Sequence, residues 1–490
     1  MPLLKSLLSG IEYVLLNGDL NTPVNHIQVD SRKLQKGDLY IAINGYHIDG
    51  HLFIDEAIKK RVAGIILQDA SFHKVDKNVT SIQLQNTRAG LPYIAANFNN
   101  NPADKLVLTG ITGTNGKTTT AILIKSILEN SGIKTALIGT IEYLIGKQKV
   151  GSGLTTPEPI TLHDLFSGMV KNKADFCVME VTSHAIKQHR VDGLRFRHAV
   201  FTNLTHDHLD YHGTIEDYFN TKAELFENLD QSSVAMINYD DPFCSELVKR
   251  TSTDTILTYS KNDPRADIYA QKVDLSPGGS SIDVKTPAGD IFITSKLPGL
   301  FNCENILAAV SFGIANNIDA ETIKAGIKDI QSVKGRFEAV NYDQDYQIII
   351  DYAHTPDALK KTLLTITGQF KGNIITVLGC DGNRDRSKRA EMGKIASEMS
   401  GLTIVTADNP RNEDILLIIN DIKAGIVSGK KHENIPDRKA AIEFALSKAK
   451  PGDTVLIAGK GHENFMEINE KKFYFSERDI IKEYLQKNTK

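Results

Sequence analysis

Cysteine is scarce in this chain, and long apolar runs are missing. Cys177, Cys244, Cys303 and Cys380 are the only four in 490 residues, and none belongs to a C-x-x-C pair. That spacing excludes a disulfide framework or a thiolate zinc site as the organising element, and a reducing, cytoplasmic setting is expected. No stretch approaches the roughly 18 apolar residues needed to span a bilayer, so membrane insertion is not expected. The opening MPLLKSLLSGIEYVLL contains Lys5 and Glu12 and no small-residue cleavage site, so it reads as an amphipathic opening helix and not as a leader. Charge of one sign is not in excess either. The net charge is -3 and no basic stripe is interleaved with aromatics, which argues against a nucleic-acid or anionic-membrane partner. Repeats of solenoid period and low-complexity segments are absent as well.

What is present is ordinary globular composition, 41% hydrophobic and 24% charged, over a length that predicts about three domains. Residues 1–95 hold short strand-like runs (HIQVDSR, GDLYIAING, GIILQ) around a helical LFIDEAIKKRVAG, a small α/β domain. From DKLVLTGIT onward, apolar strand runs alternate with helical ones, as a parallel sheet with crossover helices requires. Residues 265–297 turn all-β, a hairpin insertion or edge meander, and are followed by a buried helix in CENILAAVSFGIANN. Near VKGRFEAV the chain changes domain, and the last third alternates again. The expected architecture is therefore α/β in three domains: 1–95, a central phosphate-loop parallel-sheet domain with a β insertion over 96–332, and a Rossmann-like α/β domain over 333–490.

The central feature is LTGITGTNGKTTTAIL, residues 108–123. It ends as a phosphate-binding loop ends, in Gly116, Lys117 and Thr118, yet the first glycine of G-x-x-x-x-G-K-[ST] is replaced by Ile111. Its place between a strand and a helix that begins near Lys117 is right for a polyphosphate, which backbone N–H groups and the helix N-terminus would cradle. Lys117 would reach the β/γ-phosphates of ATP and Thr118 a Mg²⁺ ion. A second acid is expected beside it, and Glu180 ends the apolar strand DFCVMEV. The run NLTHDHLDYHG gathers His206, Asp207, His208, Asp210 and His212 at another strand end; it reads as a Mg²⁺ or phosphate contact, with a zinc cluster as the alternative. In the last third, four polar sets follow apolar runs: Asp351, His354 and Asp357; Asp381 to Arg389; Asp408 to Arg411; and Gly459, Lys460, His462 and Glu463. Arginines with acids on one sheet face suit a zwitterionic ligand, since Arg grips a carboxylate bidentately and Asp or Glu holds an ammonium.

These motifs together resemble the Mur ligases, ATP-dependent amino-acid ligases of peptidoglycan precursor synthesis, over nearly the whole chain. Their phosphate loop typically reads TGTNGKT[TS], as residues 112–119 do here, so the displaced glycine is a family form. The motif DNPR at Asp408 to Arg411 points to the branch that adds meso-diaminopimelate, whose second carboxylate Arg411 would pair with, over the branch that adds L-lysine. The resemblance implies that Gly113, Thr114, Asn115, Gly116, Lys117, Thr118 and Thr119 bind ATP, with Asn305, Arg336 and Asp351. It implies that Thr118, Glu180 and His208 serve Mg²⁺, joined by Lys222 if that lysine carries the family's carbamate. Lys117, Glu180, His208 and Lys222 form the implied catalytic set.

Ser31, Tyr46, His47 and Ile48 would hold the uridine diphosphate, although the family often has His-Gln where this chain has Tyr46-His47. Thr155, Thr156, Thr182, Ser183, Gln188 and Arg190 would meet the muramoyl-dipeptide. Arg384, Asp408, Asn409, Pro410, Arg411, Gly459 and Glu463 would form the diaminopimelate site. Small-molecule substrates, a monomer, and closure of the last domain about residues 331–336 are expected. The rival readings are a folylpolyglutamate synthase-like ligase, a phosphate-loop ATPase switch protein, and a zinc hydrolase.

Overall fold

The computed structural model describes residues 1–45, 48–74, 76 and 78–488. It divides into two compact units: Met1–Gly110 with Ile133–Ala199 and Glu227–Ser233, and Ile111–Gly132 with Val200–Phe226 and Val234–Lys490. The strands Val107–Thr112 and Phe196–Phe201 pass from one unit into the other.

The first unit opens with a departure from expectation. The helix stops after one turn, Leu4–Leu7, and Val14–Asn17 is an edge strand antiparallel to Thr80–Gln83. Gly10 lies between them at φ 77°, a left-handed turn that ends the helix. The remaining order of this five-stranded sheet is Gly64–Leu67, Leu39–Ile41 and Ile27–Gln28, all parallel. Leu4, Leu7, Ile41, Ile66 and Ile82 fill one face of it and Tyr40, Ile65 and Leu67 the other, so its strands read as unbroken apolar runs. The same unit contains Phe176–Glu180 parallel to Thr135–Ile138, extended by a hairpin of Tyr143–Ile145 and Gln148–Gly151.

In the second unit, Val234–Asn238, Thr255–Ser260 and Ile268–Ser276 run parallel, and Gly279–Lys285 and Ile291–Ser295 close the edge antiparallel, which is the expected β insertion. The buried helix Leu300–Ala315 is also found. The last third forms a six-stranded sheet in the order Glu338–Ala339, Gln347–Asp351, Thr454–Ala458, Ile374–Leu378, Leu402–Val405, His432–Asn434, parallel except at its first edge. Ile349, Leu378 and Leu456 pack on one side of this sheet, and Ile348, Val377, Val455 and Ile457 on the other. Among the described residues no helix is long and apolar enough to cross a membrane.

Where three of these parallel strands end, a fully buried Arg438 ties them together. It donates to the carbonyl oxygens of Ala407 (3.0 Å) and Ala458 (2.8 Å) and pairs with the buried Glu477 at 2.7 Å. A Cβ at Gly379 would press on the same guanidinium, so the glycine there is a packing requirement. Removing one member of a buried pair strands the other charge, at about 3–5 kcal/mol. Arg438→Met is therefore expected to lower the local opening free energy of Thr454–Ala458 by about that amount, read by native-state hydrogen exchange. Arg438→Met combined with Glu477→Leu should recover much of the loss.

Candidate active site

The phosphate loop is shorter than the generic pattern because the strand before it is longer. Ile111 is fully buried within Val107–Thr112, so only Gly113 to Gly116 turn. Both end positions require glycine. Gly113 sits at φ 142° and Gly116 at φ 87°, and a Cβ would collide with the Thr202 hydroxyl at the first and with Asn305 Oδ1 at the second. The turn is braced from the next strand end: Asn203 accepts from Thr114 N on its carbonyl (2.8 Å) and from Asn115 N on Oδ1 (2.9 Å), and Thr202 Oγ1 donates to Asn115 O at 2.7 Å. Lys117 curls back, donating Nζ to Gly113 O (2.9 Å) and Thr114 O (2.8 Å). Its charge thus lies at the mouth of the loop.

Lys222 proves to belong to this loop, which its helical context alone could not show. Buried under the turn, it donates to Gly113 O at 3.0 Å and lies 4.5 Å from the Tyr218 ring centre. Burial, with repulsion from Lys117, drives its ammonium well below the usual lysine range, and Asp207 only partly opposes this. A neutral amine is the form that can react with carbon dioxide.

His206, His208 and His212 do not converge. His206 Nε2 faces Asp385 at 3.1 Å, His208 Nε2 faces Asp207 at 3.3 Å, and His212 packs on Tyr218. Among the described residues no group of three His, Cys, Asp or Glu side chains could hold a metal ion, so the zinc-cluster alternative is not built. The organising residue of the run is Asp207, which is buried and ringed by His208, His354 (3.6 Å) and Lys388 (3.5 Å). Burial raises its carboxyl, but these three cations or potential cations outweigh it and hold the group well below the usual range.

Asn305, Arg336 and Asp351 lie with the loop. They border a cavity of about 70 Å³ with Asn115, Gly116, Thr119 and Phe301. Arg336 donates to Thr118 Oγ1 at 3.2 Å and lies over the Tyr352 ring, while its buried Nε has no partner. Asp351 accepts from Phe337 N and Thr362 Oγ1, and burial raises its carboxyl despite them.

The muramoyl-dipeptide candidates assemble in the first unit around Glu180. Thr140 N and Oγ1 donate to the two Glu180 oxygens at 2.8 and 3.0 Å, and Thr156 Oγ1 donates to its carbonyl at 2.9 Å. Thr155 meets Thr140, Thr182 caps Ser183–Lys187, and Arg190 spans Thr156 O, Gln188 Oε1 and Glu158. Ser31 is buried with Lys60 on its carbonyl and Ile48 is exposed; neither hydrogen-bonds to this group. Tyr46 and His47 lie outside the described residues.

The diaminopimelate candidates meet at the carboxyl ends of the six-stranded sheet. Lys460 Nζ donates to Asp408 Oδ1 (3.2 Å), Asn409 Oδ1 (2.8 Å) and Glu463 Oε2 (3.2 Å). Arg411, at φ 52°, donates to Gly382 O and faces Asp381 (3.3 Å) and Glu467 (3.5 Å). Gly459, at φ 119°, lets Asp408 Oδ2 approach where any Cβ would collide, Pro410 is buried in the turn between, and Arg384 is exposed.

Residues 23–99 match the Mur ligase family catalytic domain, 111–313 the Mur ligase middle domain, and 335–461 the Mur ligase glutamate ligase domain. Two curated relatives are named UDP-N-acetylmuramoyl-L-alanyl-D-glutamate–2,6-diaminopimelate ligase. That of Clostridium tetani is 41% identical over 488 residues, and that of Clostridium perfringens 41% over 493, each match covering 99% of both chains. The chain belongs to the Mur ligase family. A solved structure of an enzyme with the same name superposes with TM-score 0.69 at 30% identity, over 100% of this chain and 99% of that one.

Within this Mur ligase, sequence reasoning had passed over Thr140 and Glu467, and it placed Asp357 and Lys388 in polar loops without showing their partners. Thr140 and Lys388 are ordinary residue types for a strand end and a helix, and only packing shows what they touch. Asn115 Nδ2 donates to Asp357 Oδ2 at 3.1 Å, a contact between positions 242 residues apart in sequence. For the loop, Gly116→Ala is expected to abolish nucleotide-induced thermal stabilisation. Both the left-handed φ and Asn305 oppose a side chain there, and the strain alone costs about 1–3 kcal/mol.

Proposed function

We propose that this Mur ligase uses ATP to join the amine of meso-diaminopimelate to the D-glutamate γ-carboxylate of UDP-N-acetylmuramoyl-L-alanyl-D-glutamate, in the cytoplasm and as a monomer. The observation that carries the reading is the second unit itself, in which a braced phosphate loop contacts Arg336 through Thr118 and Asp357 through Asn115, both on the segment whose six-stranded sheet also carries the mixed-charge pocket. The 41% identity to ligases of that name supports it.

An amine does not displace oxide from a carboxylate at a useful rate, so the carboxylate must first become an acyl phosphate. Transfer of the ATP γ-phosphoryl group to it releases ADP, and attack of the free amine on the acyl carbon then expels phosphate. Lys117 would leave the carbonyls of Gly113 and Thr114 for the phosphates and offset charge as it develops. Arg336, with an unsatisfied Nε, has a donor to spare for the nucleotide.

Thr118 and His208 offer Mg²⁺ one hydroxyl and one imidazole, too little negative charge alone, and Glu180 belongs to the other unit. A carbamate on Lys222 would add the oxygen donors that a hard cation needs, and the burial beneath Gly113 that pushes Lys222 toward its neutral form fits that modification. Bound there with the phosphates, Mg²⁺ would screen their charge. Ser31, Ile48 and the Thr155 to Arg190 group would take the UDP-linked substrate, with domain boundaries near residues 96 and 333 and closure about 331–336.

Ligation onto the UDP-linked dipeptide, with meso-diaminopimelate and L-lysine run in parallel, tests the reading. Product with the diacid and little with lysine is expected. Equal use of lysine would overturn the specificity, and steady phosphate release without any amino acid would indicate an ATPase switch. Arg411→Ala should raise KM for meso-diaminopimelate by an amount worth roughly 2–5 kcal/mol while affecting lysine far less. Incubation with ¹³C-bicarbonate should give a carbamate carbonyl resonance that Lys222→Met lacks.

A further inference from the structure

We propose that Lys460 is a positioning residue of the amino-acid site, its buried ammonium fixing Asp408, Asn409 and Glu463 so that Glu463 presents its second oxygen to an ammonium group of the incoming amino acid. The inference deepens the reading of this pocket as an amino-acid site and rests on it.

Lys460 is fully buried, and its three N–H bonds are matched by three acceptors on two different loops. An ammonium carries three donors and no more. It therefore has nothing left to offer a ligand and acts only through the groups it holds. Asn409 shows what that holding does. Its Oδ1 accepts from Lys460 and from Glu467 N (3.0 Å), so its amide must point the Nδ2 donors at Glu463 Oε2, 2.9 Å away. Glu463 Oε2 is consumed by Lys460 and Asn409. The other oxygen, Oε1, makes no hydrogen bond and is not sealed from solvent, although the residue is mostly buried. One carboxylate oxygen is thus anchored and its twin left open.

Charge leads to the same conclusion. Asp408 and Glu463 bring two negative charges and Lys460 one positive, so the cluster is one cation short. An ammonium of the substrate is the group that balances it. Asp381, Tyr352 and Arg438 are the other titratable groups that act on Glu463. Glu477 and His462 lie near Lys460, and His354 acts on Asp408. Burial raises the Glu463 carboxyl above the ordinary range, and Lys460 is the main influence against it, while Asp408 and Asp381 push the same way as burial. Without Lys460, burial, Asp408 and Asp381 would push the Glu463 carboxyl further toward its protonated form, which has no attraction for an ammonium.

Steady-state kinetics of the full chain test this with Lys460→Met, Lys460→Arg and Lys460→Gln. Lys460→Met is expected to raise KM for meso-diaminopimelate roughly 30-fold or more, with KM for ATP unchanged. The ratio of variant to wild-type KM should fall as pH rises from 6.5 to 9, because base restores the Glu463 carboxylate. Lys460→Arg, which retains the charge, should recover part of the affinity. If Lys460→Met does not fold, Lys460→Gln keeps hydrogen bonds without the charge and is judged by the same ratio. A wild-type KM, or a loss equal at every pH and not relieved by arginine, would overturn the proposal. Failure of the wild-type enzyme to ligate meso-diaminopimelate would instead remove the reading beneath it.

Discussion

A lysine ammonium taken out of water must either find acceptors or give up its proton, and much of this enzyme's second unit is arranged around that choice. Lys222, Lys388 and Lys460 are all buried near the ends of parallel strands, where carbonyls and carboxylates gather. Lys222 meets a carbonyl and a hydroxyl, with Lys117 as its cationic neighbour, and burial wins. Lys460 meets two carboxylates and an amide, and although burial opposes its charge, Asp408 and Glu463 hold the ammonium above the usual range. The same residue type is thus pushed toward the neutral amine under the phosphate loop and held as an ammonium at the ends of the six-stranded sheet. Composition of the neighbourhood decides which.

The alternation of apolar runs was enough to place the parallel sheets and the loops that leave them, because a strand buried on both faces has no polar alternation to hide its length. What could not be read was packing between distant segments. The opening stretch was expected to be one helix, since Leu3, Leu4, Leu7 and Leu8 suit a helical stripe; Gly10 and the open edge beside Thr80–Gln83 claim its second half as strand. The hairpin Phe465–Ile468 and Lys471–Tyr474 carried no distinct signal either, yet its Glu467 fastens the DNPR turn by accepting from Arg411 N and donating to Asn409.

Individual residues divide along the same line. The turn at Gly113 and Gly116 and the helix start at Lys117 were legible because a loop between strand and helix constrains residue type at fixed offsets. Lys460 stood in the motif GKGHE, but its sequence neighbours show only that it follows a strand. That it reaches Asp408 and Asn409, 52 and 51 residues away, is a property of two strands that flank Ile374–Leu378 and end on the same edge of the sheet. Tertiary contacts of this kind leave no periodicity.

Asp207 shows how the two chemistries are joined. It follows the strand end that braces the phosphate loop, yet two of its three partners, His354 and Lys388, come from the six-stranded sheet domain. Any opening about residues 331–336 that separates the loop from that domain must break these contacts together with Arg336 to Thr118 and Asn115 to Asp357. Each is a charged or amide contact whose groups regain water when parted, so the net contribution of each to resisting such an opening is modest. Under the closure proposed above, nucleotide entering beside Arg336 and an amino acid entering beside Glu463 would act on one equilibrium from its two ends.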